Sequence, residues 1–89
     1  MVRKEAVFAL AEDLTPDVAA KLTQATERFQ AHLEMECDGK RVLMDSLIGI
    51  LSVDCRRGTR LAVIAEGEDE AHAAEAMAAL LEGRREGKR

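Results

Sequence analysis

The strongest local constraint on the fold is a pair of alternating segments joined by Asp38-Gly39. Polar and apolar side chains alternate over residues 32–37 and again over residues 40–44, as expected of two half-buried strands. Asp-Gly favours a two-residue type I′ turn, because both residues can adopt positive φ. The sequence therefore predicts a β-hairpin over residues 32–44. The side chains expected to face the core are Leu33, Met35, Cys37, Val42 and Met44.

The segment before the hairpin predicts a strand followed by a helix. Residues 5–10 place alternate side chains on one face, as in a half-buried strand. Thr15 is a suitable N-cap, Pro16 suits the first helical position, and Asp17 favours the positive end of the helix. An apolar stripe at helical spacing follows. The stripe consists of Val18, Leu22, Ala25 and Phe29.

The segment after the hairpin predicts a short helix, a strand and a final helix. Ser46 precedes an apolar run as an N-cap. Residues 60–66 alternate as a strand, Asp69 can cap the final helix, and that helix loses its pattern at Gly83. The resulting order, β-α-β-β-α-β-α, predicts an α+β fold with helices on one side of an antiparallel sheet. The other face is expected to be wet. It would carry Glu34, Glu36, Arg41 and Arg60.

Length and composition limit both the domain organisation and the function classes. We interpret the 89 residues as one domain over 1–89, with a flexible basic tail at 84–89. The net charge of −4 does not favour nucleic-acid binding. Cys37 and Cys55 are expected to be reduced thiols, one of them buried. We see no signal peptide, membrane span, metal-ligand cluster or cofactor motif, and therefore expect a cytoplasmic protein that is not an independent enzyme.

Three stretches of the chain carry a resemblance to a known family. They are Asp38-Gly39-Lys40, the run from Ser46 to Ser52, and Gly58-Thr59 leading into residues 65–70. Together with the element order, they resemble the HPr family, the histidine-containing phosphocarriers of the bacterial sugar phosphotransferase system. The resemblance covers nearly the whole chain. It implies an open-faced sandwich, with a four-stranded antiparallel sheet covered on one side by three helices.

The family's phosphorylation site is altered in this sequence. The resemblance puts Thr15 at the position of the phosphohistidine, Asp17 at that of its neighbouring arginine, and Val18 at that of a proline. A carrier needs a nucleophile that is also a good leaving group, and imidazole is both near neutral pH. A threonine hydroxyl without a base is neither. His32 and His72 are expected to be ordinary surface residues, so the sequence predicts that the chain does not relay phosphate.

Ser46 is the family feature that remains. In the family, a serine here is phosphorylated by a dedicated kinase, and the histidine-lacking catabolite-repression branch keeps it for a regulatory role. The resemblance thus implies an HPr kinase/phosphorylase and a transcriptional repressor as protein partners. A phosphate on Ser46 would sit at the positive end of the short helix. Leu47, Ile48 and Leu51 could then form an exposed docking patch.

Several alternatives remain open at this point. Ser46 could be a structural N-cap only, with the leucines in the core. Asp45 and Asp17 would repel a phosphoserine, although Asp45 could equally supply a permanent negative charge and make a constitutive binder. The chain could also be a divergent phosphocarrier that still serves sugar uptake. Finally, it could be an interaction domain unrelated to sugar transport that keeps only the scaffold.

Overall fold

The computed structural model describes residues 1–84, which form a four-stranded antiparallel sheet with three helices packed on one face. This confirms the predicted fold class and element order. In chain order the elements are β1 Val2–Val7, α1 Pro16–Thr26, β2 His32–Cys37, β3 Lys40–Leu43, α2 Leu47–Leu51, β4 Arg60–Glu66 and α3 Glu70–Leu81. No helix within 1–84 is both long enough and apolar enough to cross a membrane.

The hairpin has the predicted geometry. Asp38 and Gly39 have φ values of 55° and 79°, the two positive values that a type I′ turn requires. Cys37 pairs directly with Lys40 across the turn. Because the turn fixes the register, the apolar side chains of β2 all point to the core, where Leu33, Met35 and Cys37 are buried.

The sheet order is β1-β4-β2-β3, so β4 pairs with β1 on one side and with β2 on the other. All five residues from Leu61 to Ala65 are buried, including those that face away from the helices. Arg3 and Glu34 flank Ile64 across its two strand pairs. The centre of the helix-free face is therefore less exposed to solvent than expected, because the stems of long charged side chains cover Ile64.

Ion pairs hold this charged cover together. Arg3 pairs with Glu36, and Arg41 pairs with Glu34. His32 Nε2 lies 2.7 Å from Glu34 Oε2, and this hydrogen bond, followed by that of Arg41, lowers the pKa of Glu34 below its ordinary value. The predicted charged residues do line this face. Their side chains form a charged cover that shields the central strand from solvent.

The first strand lies earlier than predicted. We expected residues 5–10, whereas β1 begins at Val2 and ends at Val7. The partner strand explains the shift, because β4 runs far enough to pair Val2 with Ala65. Phe8 remains fully buried beyond the strand, and its backbone bonds to Thr59 and Gly58 instead.

The first helix is shorter than its apolar stripe. It ends at Thr26, and the N–H of Phe29 donates to the Thr26 carbonyl at 3.1 Å, an i→i+3 bond typical of a tightened last turn. Leu22 is the fully buried centre of the stripe. Phe29, expected on the helix face, lies after the helix end and is half-buried, with its ring edge-on to His72 at 5.5 Å.

The two ends of α3 correct two expectations. Asp69 occupies the N-cap position but makes no side-chain cap; its carboxylate accepts hydrogen bonds from Gln30 and Ala31 instead. At the other end, Gly83 has a φ of 76°, and the Arg84 N–H donates to the Ala79 carbonyl at 2.9 Å. This is a Schellman cap, so Arg84 belongs to the helix end and not to the predicted tail. Residues 85–89 of that tail lie outside the described residues.

Candidate protein-binding site

Ser46 begins α2 as predicted. Its Oγ accepts a hydrogen bond from the Gly49 N–H at 3.0 Å, while the Ile50 N–H donates to the Ser46 carbonyl at 3.0 Å. These are the bonds of an N-cap, and they satisfy donors that a helix end otherwise leaves free. Gly49 permits this approach, because a Cβ there would lie 3.2 Å from Ser46 Oγ.

The helix that follows Ser46 turns most of its apolar surface outward. Ile48 is 83% exposed, Leu47 42% and Leu51 38%, whereas Ile50 is fully buried. A five-residue helix can place only about one face on the core, so a run of four apolar residues must leave some exposed. The three candidate contact residues are therefore on the surface.

A fourth exposed apolar residue lies near α2 in the chain, but its side chain faces the side of the sheet that carries no helix, because Leu43 pairs with Glu34. Leu43, at the end of β3, is 44% exposed. Its carbonyl accepts a 3.3 Å hydrogen bond from the Ser46 N–H, so it directly adjoins the start of α2. Sequence reasoning assigned Val42 and Met44 to the core and passed over Leu43. The signal was present, because in an alternating strand the residue between two core residues must point outward. We call Leu47, Ile48 and Leu51 the α2 face.

Thr15 occupies the N-cap of α1. Its Oγ1 accepts from the Val18 N–H at 3.3 Å, and both Thr15 and the neighbouring Asp17 are exposed. The two histidines lie elsewhere: His32 is an exposed residue of β2, and His72 is on α3 against Phe29. The N-terminal end of α1 thus presents a hydroxyl and a carboxylate.

The starts of α1 and α2 are not brought together at one point. The Leu14 N–H, just before α1, donates to the Cys55 carbonyl at 3.1 Å, and Asp13 bridges to Arg56. The start of α1 therefore adjoins the chain that leaves α2, whereas Ser46 lies at the opposite end of α2. Within residues 1–84, no group of three or more His, Cys, Asp or Glu is placed to hold a metal ion.

The element order and the one-sided helix layer define an open-faced β-sandwich. The chain belongs to the HPr family: the family model described as "PTS HPr component phosphorylation site" matches residues 2–83. This agrees with the resemblance found in the sequence.

Individual relatives include both HPr-like proteins and phosphocarrier proteins by name. The HPr-like protein Crh of Bacillus subtilis is 35% identical over 82 residues, covering 92% of this chain and 96% of the relative. The phosphocarrier protein HPr of Borreliella burgdorferi is 33% identical over 86 residues, covering 97% and 100%. The crystal structure of HPr from Bacillus anthracis has a TM-score of 0.84 at 35% identity, covering 90% of this chain and 95% of that one.

Proposed function

We propose that this chain is a regulatory member of the HPr family, which other proteins bind through the α2 face and which does not carry phosphoryl groups on α1. The observation that carries the proposal is the exposure of Leu47, Ile48 and Leu51 next to a capped Ser46. Apolar side chains grouped on a surface are typical of protein contacts. The similarity to Crh supports the regulatory branch.

The start of α1 supports the second half of the proposal. Thr15 is exposed, and its Oγ1 already accepts the Val18 N–H. No imidazole stands at that helix end to take and release a phosphoryl group. Asp17 adds a negative charge where an incoming phosphate would need a positive one. The chain then acts as a protein-binding partner and not as an enzyme of its own.

Ser46 is the proposed phosphorylation site of the regulatory function. A phosphate on its Oγ keeps oxygen acceptors next to the Gly49 N–H, so the cap need not be lost. Asp45 is exposed, so the surrounding water weakens its repulsion of the phosphate; salt adds little, because neighbouring residues lie within a Debye length of about 8–10 Å. We expect an HPr kinase/phosphorylase to modify Ser46 and a transcriptional repressor to bind the product.

Two phosphorylation reactions test these roles. With phosphoenolpyruvate and the general phosphotransferase enzyme, we expect no acid-labile phosphate, while a histidine-bearing HPr in the same tube is labelled. With an HPr kinase and ATP, we expect one acid-stable phosphate, lost in Ser46→Ala and kept in Thr15→Ala. Acid-labile phosphate on the chain would support the divergent carrier, and no labelling by either route would leave a scaffold-only interaction domain.

A binding measurement tests the α2 face. Ile48→Ser should weaken repressor binding about tenfold or more, since truncating a central apolar contact costs at least about 1.4 kcal/mol. Val7→Ser is the matched control, because Val7 is also an exposed apolar residue, at 41%, but lies on β1. Equal affinity for both variants would mean that the partner binds elsewhere.

A further inference from the structure

The fold brings together two thiols that are distant in sequence. Cys37 ends β2 and Cys55 lies in the loop after α2, yet their Sγ atoms are 3.5 Å apart, and both residues are only 3% exposed. We expected reduced thiols with one of them buried; the structure shows two buried free thiols in contact. A disulfide bond is about 2.05 Å long, so the two sulfurs are about 1.5 Å from bonding distance.

We propose that Cys37 and Cys55 form a redox site, at which a small peroxide such as hydrogen peroxide converts the two thiols to an intramolecular disulfide. The bond would join the end of β2 to the loop after α2. It would enclose β3 and all of α2 in one covalent ring. This inference does not depend on the proposed function, because it concerns the thiols and not the α2 face.

A groove beside Cys37 gives a small reactant a route to one of the two thiols. It has a volume of about 210 Å³ and is lined by Cys37, Asp38, Lys40, Ser52, Val53 and Asp54. Lys40 Nζ donates to the Ser52 carbonyl at 3.2 Å, which ties β3 to the end of α2 beside this groove. The groove suits a molecule the size of a peroxide, whereas the burial of both sulfurs disfavours a bond to a second protein.

The two cysteines have different roles in the reaction. Cys37 lines the groove, so it meets the peroxide first. Burial, followed by the hydrogen bond with Cys37, raises the pKa of Cys55 to about 12, so that thiol is protonated and reacts slowly with free peroxide, whereas its contact with Cys37 places it next to a sulfenic acid formed there. Cys55 therefore acts second, as the resolving thiol. With two cysteines in the chain, no other thiol competes for the product.

The step balances without a further reactant. The Cys37 sulfur attacks one peroxide oxygen, the O–O bond breaks, and the second oxygen leaves as water with the thiol proton. The Cys55 sulfur then attacks the resulting sulfenic acid, the S–O bond breaks, and that oxygen leaves as water with the Cys55 proton. Two thiols and one peroxide give one disulfide and two waters; the sulfurs lose two electrons and the peroxide gains them.

Mass spectrometry of the full chain tests the proposal. The reduced protein is treated with hydrogen peroxide, unfolded in the presence of an alkylating agent, and weighed intact. We expect a loss of two hydrogen masses with no alkyl groups added, a Cys37–Cys55 cross-linked peptide, and full reversal by a reductant. Linked dimers, or oxidised cysteines without a bond between them, would overturn the proposal.

Two matched variants test the order of events. Cys55→Ser should accumulate a sulfenic acid on Cys37 that a dimedone probe captures, while Cys37→Ser should label about tenfold more slowly. Equal labelling of the two variants would overturn the assigned roles. If either variant fails to fold by circular dichroism, the wild-type cross-link still decides whether the disulfide forms.

Discussion

The carboxylate of Asp69 accepts a 2.8 Å hydrogen bond from the backbone N–H of Ala31, a residue 38 positions earlier in the chain. The same carboxylate accepts the Gln30 N–H at 3.0 Å. These bonds fix the chain where it leaves α1 and enters β2, and they join it to the start of α3. The Gln30 bond, ahead of the Ala31 bond, lowers the pKa of Asp69 below its ordinary value of 3.8.

This pair predicts how stability changes in acid. The folded pKa of Asp69 is lower than the unfolded one, so its stabilisation is complete above the unfolded value near 3.8 and is lost as pH falls through the folded value. Urea unfolding at pH 7 and at about pH 3 should show a smaller loss for Asp69→Asn than for the wild type. Glu68→Gln, at an exposed neighbour, serves as the control. An identical pH dependence for wild type and Asp69→Asn would contradict this assignment.

A second contact between the chain before β2 and the chain before α3 predicts a strict requirement for glycine. Gly67 has a φ of 146°, and a Cβ there would lie 2.9 Å from the Ala31 Cα. Since the obstacle is backbone, Gly67→Ala should lower the free energy of unfolding by roughly 2–3 kcal/mol. Gly39→Ala is the control: its φ is 79° but the space is open, so strain should cost about 1 kcal/mol. Equal losses in urea denaturation would show that the Ala31 contact yields easily.

The two phenylalanines should differ in their effect on stability. Phe8 is fully buried in the core, so Phe8→Ala should cost about 3–5 kcal/mol. Phe29 is half-buried and partly covered by His72, so Phe29→Ala should cost about 2 kcal/mol. Chemical denaturation measures both. A larger loss at Phe29 than at Phe8 would mean that Phe29, predicted in the apolar stripe of α1, contributes more to the core than its half-buried position indicates.

The stability of α2 should depend on whether the side chain at position 46 can accept a hydrogen bond, and not on its size. Ser46→Ala removes the acceptor for the Gly49 N–H and should cost about 1 kcal/mol. Ser46→Asp retains a cap acceptor and should stay within about 0.5 kcal/mol of the wild type. Urea denaturation of the two variants makes the comparison. If Ser46→Asp were the less stable one, the negative charge of Asp45 would outweigh the cap.

Local signals account for the parts of the fold that could be predicted from sequence. The turn at Asp38-Gly39, the caps at Thr15 and Ser46 and the bounds of β2 each depend on residues a few positions apart. The exposure of Leu47, Ile48 and Leu51 was one of two alternatives considered from the sequence, because the length of α2 limits what it can bury.

The features that sequence reasoning missed depend on distant partners. Asp69 resembles an N-cap in sequence, but its carboxylate accepts hydrogen bonds from the backbone N–H groups of Gln30 and Ala31 instead of capping α3. Cys37 and Cys55 meet only because α2 folds back beside the hairpin. Phe29 fits the helical spacing of α1, yet the helix stops before it. No local pattern reports such long-range contacts.

The charged cover over Ile64 has a consequence for solubility. No helix among residues 1–84 covers that side of the sheet, so the stems of Arg3 and Glu34 separate the apolar central strand from neighbouring molecules in a concentrated solution. Shortening Arg3 to alanine would uncover Ile64 while leaving the helix-covered core intact. The damage would then show first as self-association that grows with protein concentration, and only later as unfolding.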